Sequence, residues 1–130
     1  MLTGFEKITE DLNQYEEQEV LPLIVAGLRS KIGKDKAITG TEICNKVNLF
    51  GRLNGYKLTP VKLRKMISRI RVKGIISALC SSSKGYFVAD TLEELETCLK
   101  SLSERLRQQQ MVVDALTVQL HEEHQWLSDG

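Results

Sequence analysis

The sequence predicts a mainly helical chain with one small β-hairpin and a long, regular C-terminal helix. Apolar residues recur at helical spacing through most of it, and two short strand-like runs flank a serine-rich turn. From Leu92 onward, leucines step by three and four. With 130 residues, 42% of them hydrophobic, the chain is long enough to bury one core without disulfides or metals. Aromatic residues make up only 5%, so that core is expected to be aliphatic.

The first helix is expected over Tyr15–Ile32, where Val20, Leu21, Ile24, Leu28 and Ile32 share a face. Pro22 suits the first turn of its main part, which makes Asn13–Glu19 a separate or kinked turn before it. Gly33 ends the helix, and Ala37-Ile38 fits a very short strand. Thr39-Gly40-Thr41-Glu42 has the form of a capping box, opening a second helix that buries Ile43 and Val47 with Cys44 at the margin. Asn48–Leu58, with Gly51 and Asn54-Gly55, reads as a loop. That is longer than the turn of about 3–4 residues in a tight helix-turn-helix. Either the second helix extends through Leu49-Phe50, or the loop is an elaboration carrying Arg52 and Lys57. Thr59-Pro60 is a capping hydroxyl followed by a first-turn proline, and the helix it opens runs to about Lys73, stopped by Gly74. Leu63, Ile67 and Ile70 form its buried stripe, with Met66 beside it. Ile75–Cys80 and Tyr86–Ala89 then flank the turn Ser81–Gly85 as a hairpin. Helix, tiny strand, helix, loop, helix, hairpin, helix is the order of a winged helix-turn-helix. Residues 1–90 are expected to form that domain, and residues 91–130 a coiled-coil-like dimerisation helix.

Net charge is +1, but its distribution is uneven. Residues 1–42 carry five bases against eight acids, and residues 90–130 carry three against nine. Between them, residues 43–89 hold ten Lys and Arg and not one acid. Single cations on a helix are ordinarily solvated surface, but soluble surfaces intersperse both signs, so a run of this length points to a polyanion. Lys62, Lys65 and Arg69 share one face of the third helix; Arg64, Ser68 and Arg71 lie on the next, both turned away from Leu63 and Ile70. Thr59, Val61, Lys62 and Lys65, near the helix start, are candidates for reading base edges. Arg64 lies beside them. Arg69, Arg71 and Lys73 suit phosphates, and Ser82, Ser83 and Lys84 offer hydroxyls and an ammonium on the hairpin. The expected partner is double-stranded DNA.

With Leu92 as position a, the a sites are Leu92, Leu99, Leu106, Val113, Leu120 and Leu127, and the d sites are Leu95, Leu102, Gln109, Leu116 and Glu123. A repeat of 3.5 residues held this long keeps one seam toward a partner helix. The first turns suit packing on the chain's own domain; beyond them a homodimer through Leu99, Leu102, Leu106, Val113, Leu116 and Leu120 is expected.

Other chemistries find little support. His121-Glu122-Glu123-His124 is not the H-E-x-x-H zinc motif, because its second histidine comes one residue early. No metal site, cofactor or catalytic constellation is expected, and the chain does not read as an enzyme. Cys44, Cys80 and Cys98 lack metal-site spacing and read as buried or free thiols of a reducing compartment. No apolar leader opens the chain and no stretch approaches the ~20 apolar residues of a membrane span, so the expected location is the cytoplasm.

Ile38–Ile43, Leu63–Arg71 and Ser81-Ser82-Ser83-Lys84-Gly85-Tyr86-Phe87-Val88-Ala89, running into Asp90-Thr91-Leu92-Glu93-Glu94-Leu95, resemble a group of small winged-helix proteins common in bacteriophages and prophages. The resemblance covers about residues 15–107. It implies a DNA-binding fold in a phage or mobile-element setting, with no defined operator or pathway; on the residues themselves the expected role is a transcriptional regulator. Two other readings remain open: a replication or recombination accessory factor on DNA, and an adaptor that binds protein through the same elements.

Overall fold

A computed structural model describes residues 12–129, with side chains through residue 123. It is mainly helical, with a two-stranded antiparallel hairpin and a long C-terminal helix. The elements in order are α1 (Leu21–Arg29), α2 (Gly40–Phe50), α3 (Pro60–Lys73), β1 (Leu79–Ser82), β2 (Gly85–Val88) and α4 (Leu92–Asp129). The chain divides into two compact units, Met1–Leu95 and Glu96–Gly130. The sequence expectations for residues 1–11, for Leu127 and for the side chain of His124 lie outside what is described.

In the first unit, Asn13 starts the helical run with a reciprocal cap. Its Oδ1 accepts the Glu16 N–H at 2.8 Å, and Glu16 Oε1 accepts the Asn13 N–H at 3.0 Å. A π-helical turn, Glu16–Val20, leads straight into α1. Pro22 has no N–H to donate to the preceding turn, so the wide turn ahead of it takes up the mismatch without a break. The helix stops at Arg29, short of the expected Ile32. Ile32 is 50% exposed rather than part of the buried stripe, because it forms an isolated parallel bridge with Val88.

Both expected caps are present. Thr39 accepts the Glu42 N–H at 3.1 Å while Glu42 accepts the Thr39 N–H at 3.3 Å, and Thr59 Oγ1 accepts the Lys62 N–H at 3.3 Å. Ile43, Cys44 and Val47 of α2 and Leu63, Met66, Ile67 and Ile70 of α3 are buried, together with Val20, Leu21, Ile24 and Leu28 from the first helical run. Gly74 closes α3 at φ 67°, the left-handed turn that glycine takes without cost. α2 extends through Leu49-Phe50, leaving the loop 51–59. The Asn48 amide clamps that loop, accepting the Leu58 N–H at 2.7 Å and donating to the Leu58 carbonyl at 3.0 Å.

The first strand is shorter and later than its composition suggested, and the second runs one residue earlier than the expected Tyr86–Ala89. Ile75 and Ile76 lie in the turn after α3, and the strands pair in the register Leu79↔Val88 to Ser82↔Gly85, so only Ser83 and Lys84 form the tip. β2 has partners on both edges: Ile38 and Tyr86 exchange N–H···O bonds of 2.9 and 2.8 Å, which supplies the short strand expected at Ala37-Ile38 as a single bridge. Gly85 makes this approach possible. At φ 121°, a Cβ there would fall 2.3 Å from the Ile38 carbonyl oxygen. α4 opens with Thr91 Oγ1 accepting the Glu94 N–H at 3.1 Å, while the Glu94 carboxylate accepts backbone N–H groups of Asp90 (2.7 Å) and Lys34 (3.1 Å).

Candidate nucleic-acid interface

Burial decides which faces of α3 are available. Leu63, Met66, Ile67 and Ile70 are at most 2% exposed, so the helix docks through one stripe and turns the remaining positions outward. Arg64 and Lys73 are exposed, Val61 is 54% exposed, and Lys62, Lys65, Ser68, Arg69 and Arg71 are half-buried along the flanks. At the hairpin, Ser83 and Lys84 are exposed while Ser82 is half-buried.

Several of these groups hold the fold together. The Thr59 hydroxyl, proposed for base edges, is the cap of α3. Lys62 Nζ sits 4.8 Å above the centre of the Tyr56 ring, a cation–π contact that holds the ammonium at the loop side of the helix start. Arg69 forms an ion pair with Glu17. Arg71 bridges α3 to the hairpin: its Nε donates to the Leu79 carbonyl at 2.9 Å and its Nη2 to Ser81 Oγ at 3.2 Å. Ser82 Oγ accepts the Lys84 N–H at 3.1 Å and shapes the tip. Arg71 thereby fixes the hairpin against the C-terminal half of α3, while Val61, Arg64, Lys73, Ser83 and Lys84 present their side chains to solvent.

The sequence reading missed the acids that approach this surface. Residues 43–89 contain no acid, but Glu16 and Glu17 arrive from the turn before α1. Glu16 is only 4% exposed, and its Oε2 accepts the Tyr56 hydroxyl at 2.6 Å. Burial, and then that hydrogen bond, push the Tyr56 hydroxyl well above its ordinary range, so it stays a protonated donor. Tyr15 stacks obliquely on Tyr56, with centroids 5.8 Å apart, and its hydroxyl donates to the Leu53 carbonyl at 2.9 Å. The Asn13-x-x-Glu16 spacing was a readable signal for the cap; nothing in the pattern paired Glu17 with Arg69 or Tyr56 with Lys62. Arg52 and Lys57 of the loop are both exposed.

The seam residues of α4 are exposed in the single chain. Leu99 is 62% exposed, Leu102 36%, Leu106 68%, Val113 55%, Leu116 56% and Leu120 66%. Cys44, Cys80 and Cys98 are buried free thiols. Among the described residues, no group of three or more His, Cys, Asp or Glu is placed to hold a metal ion, and no helix is long and apolar enough to cross a membrane. No protein-family model, no curated protein and no solved structure matches the chain.

Proposed function

We propose that this chain is a non-enzymatic, cytoplasmic winged helix-turn-helix protein that binds double-stranded DNA as a homodimer, and that it regulates transcription in a phage or mobile-element setting. The observation that carries the reading is the division of α3. Its apolar stripe is buried, Arg64 and Lys73 are exposed on the helix, and the hairpin tip exposes Lys84. The helix fits a major groove with Val61, Lys62 and Lys65 toward base edges, and Ser83 and Lys84 suit the sugar-phosphate backbone. Arg71 acts in this reading by fixing the hairpin to the helix. The exposed leucine seam favours pairing of two α4 helices, which would set two reading heads at a fixed spacing.

Fluorescence anisotropy with a labelled random-sequence duplex tests the reading. Binding should weaken steeply with salt, by ~0.9 log units per phosphate neutralised for each tenfold rise in salt. Absence of binding at low salt overturns it and turns attention to the adaptor alternative. A bound site at a replication origin instead of a promoter would favour the accessory-factor reading.

A further inference from the structure

Between α1 and α2 lies an apolar groove of about 340 Å³, away from the stripe by which α3 docks. Ile24, Leu28, Ile43 and Val47 contribute buried side chains to its lining, and Leu23 and Phe50 reach solvent at 40% and 76% exposure. Lys31 and Lys46 also line the groove, and among the described residues no acid does. Glu42 feels both lysines, but its carboxylate is committed to the Thr39 cap, and two cations against one carboxylate leave the rim positive.

Gly27 gives the second observation. It lies inside α1 and lines the groove, and a Cβ built on it would meet nothing within 4 Å. Glycine inside a helix is destabilising relative to alanine, so it needs a reason. Among the described residues, no contact supplies one. A bare backbone on an open groove floor does supply one: it lets a second backbone come close.

We propose that the α1–α2 groove is the docking site for an amphipathic helix of a partner protein, one that sets apolar anchors at i, i+4 and i+7 against Leu23, Phe50 and the Gly27 floor and carries acidic residues toward Lys31 and Lys46. Helix-in-groove recognition uses this spacing of anchors. The cations would exclude basic helices and set the direction of an acidic one. Because the groove uses α1 and α2, docking is independent of whether α3 binds DNA.

The test is a phage-displayed library of helical 16-residue peptides, with apolar residues fixed at i, i+4 and i+7 and the flanking positions randomised, selected against the full chain. Enriched peptides should be acidic at the flanks and should lose about tenfold or more in affinity toward Gly27→Leu, whose side chain fills the floor. Lys31→Glu combined with Lys46→Glu should weaken the same peptides and leave the fold intact by circular dichroism. Since nothing crowds position 27, Gly27→Leu should melt no lower than wild type, which separates a blocked groove from a failed fold. Enrichment of basic peptides, equal affinity for Gly27→Leu, or no enrichment overturns the proposal. A change in oligomeric state on Gly27→Leu also overturns it, by making the occupant a second copy of this chain.

Discussion

α3 and α4 are both amphipathic, and they use their apolar stripes in opposite ways. On α3, Leu63, Met66, Ile67 and Ile70 are spent on the core of their own chain, with 0–2% exposure. On α4, Leu99, Leu106 and Leu120 keep 62–68% exposure. A stripe completed within the chain fixes a helix and leaves its polar side as the working surface. A stripe left open makes the apolar side the working surface. The first kind of helix is vulnerable to core mutation; the second, in the proposed homodimer, would be vulnerable to dilution.

The sharpest way to break that contrast is to shorten one residue in each stripe. Met66→Ala should cost about 3–5 kcal/mol in chemical denaturation, because a fully buried side chain is lost and a cavity remains. Leu106→Ala should leave the folding of residues 12–95 unchanged and shift sedimentation toward monomer. Equal loss of core stability from both would show that the helices are not used differently.

Gly85→Ala comes next. Its Cβ would collide with the Ile38–Thr39 backbone at a φ that side chains avoid, so a loss of roughly 2–4 kcal/mol is expected by urea unfolding. Glu17→Gln probes the working side of α3. It should cost no more than about 1 kcal/mol of stability, since the ion pair is partly exposed, and should strengthen DNA binding a few-fold by removing one negative charge beside Arg69. Unchanged or weaker binding would remove Arg69 from the interface. Ala78→Gly should add about 0.5–1 kcal/mol to the thermal stability of the hairpin, because Ala78 sits at φ 62°.

The smallest effect expected is that of pH. Backbone N–H groups of Asp90 and Lys34 hold the Glu94 carboxyl below its ordinary value, and the Thr39 cap does the same for Glu42. Carboxyls lowered in the folded state stabilise it above the unfolded value near 4.5, and that contribution is lost as pH falls through the folded value. Acid unfolding followed by circular dichroism should therefore be shallower in Glu94→Gln and Glu42→Gln, both being less stable than wild type at neutral pH.

Local rules carried most of this fold. Thr39, Glu42, Thr59, Pro60 and Gly74 mark helix ends through contacts within a few residues, and the core stripe of α3 follows from its spacing alone. Failures occurred where distant segments meet. Ile32 leaves its helix because β2 offers a bridge, and the hairpin tip contracts to Ser83 and Lys84 because Gly85 is pressed on Ile38. For the candidate interface, the cations were visible in the sequence. The contacts that occupy them, Glu17 for Arg69, Tyr56 for Lys62 and Leu79 for Arg71, depend on packing between segments that no periodicity encodes.

Glu16 ties three distant positions into one part. Its carboxylate caps its own helix at Asn13 and holds the Tyr56 hydroxyl, and the Tyr56 ring lies beneath Lys62. A transplant of residues 60–73 into another scaffold would therefore arrive without its aromatic platform, and its first lysine would swing free. Positions 16, 56 and 62 have to travel together, so under the proposed DNA-binding reading the portable recognition element would be a patch gathered from three segments rather than a helix.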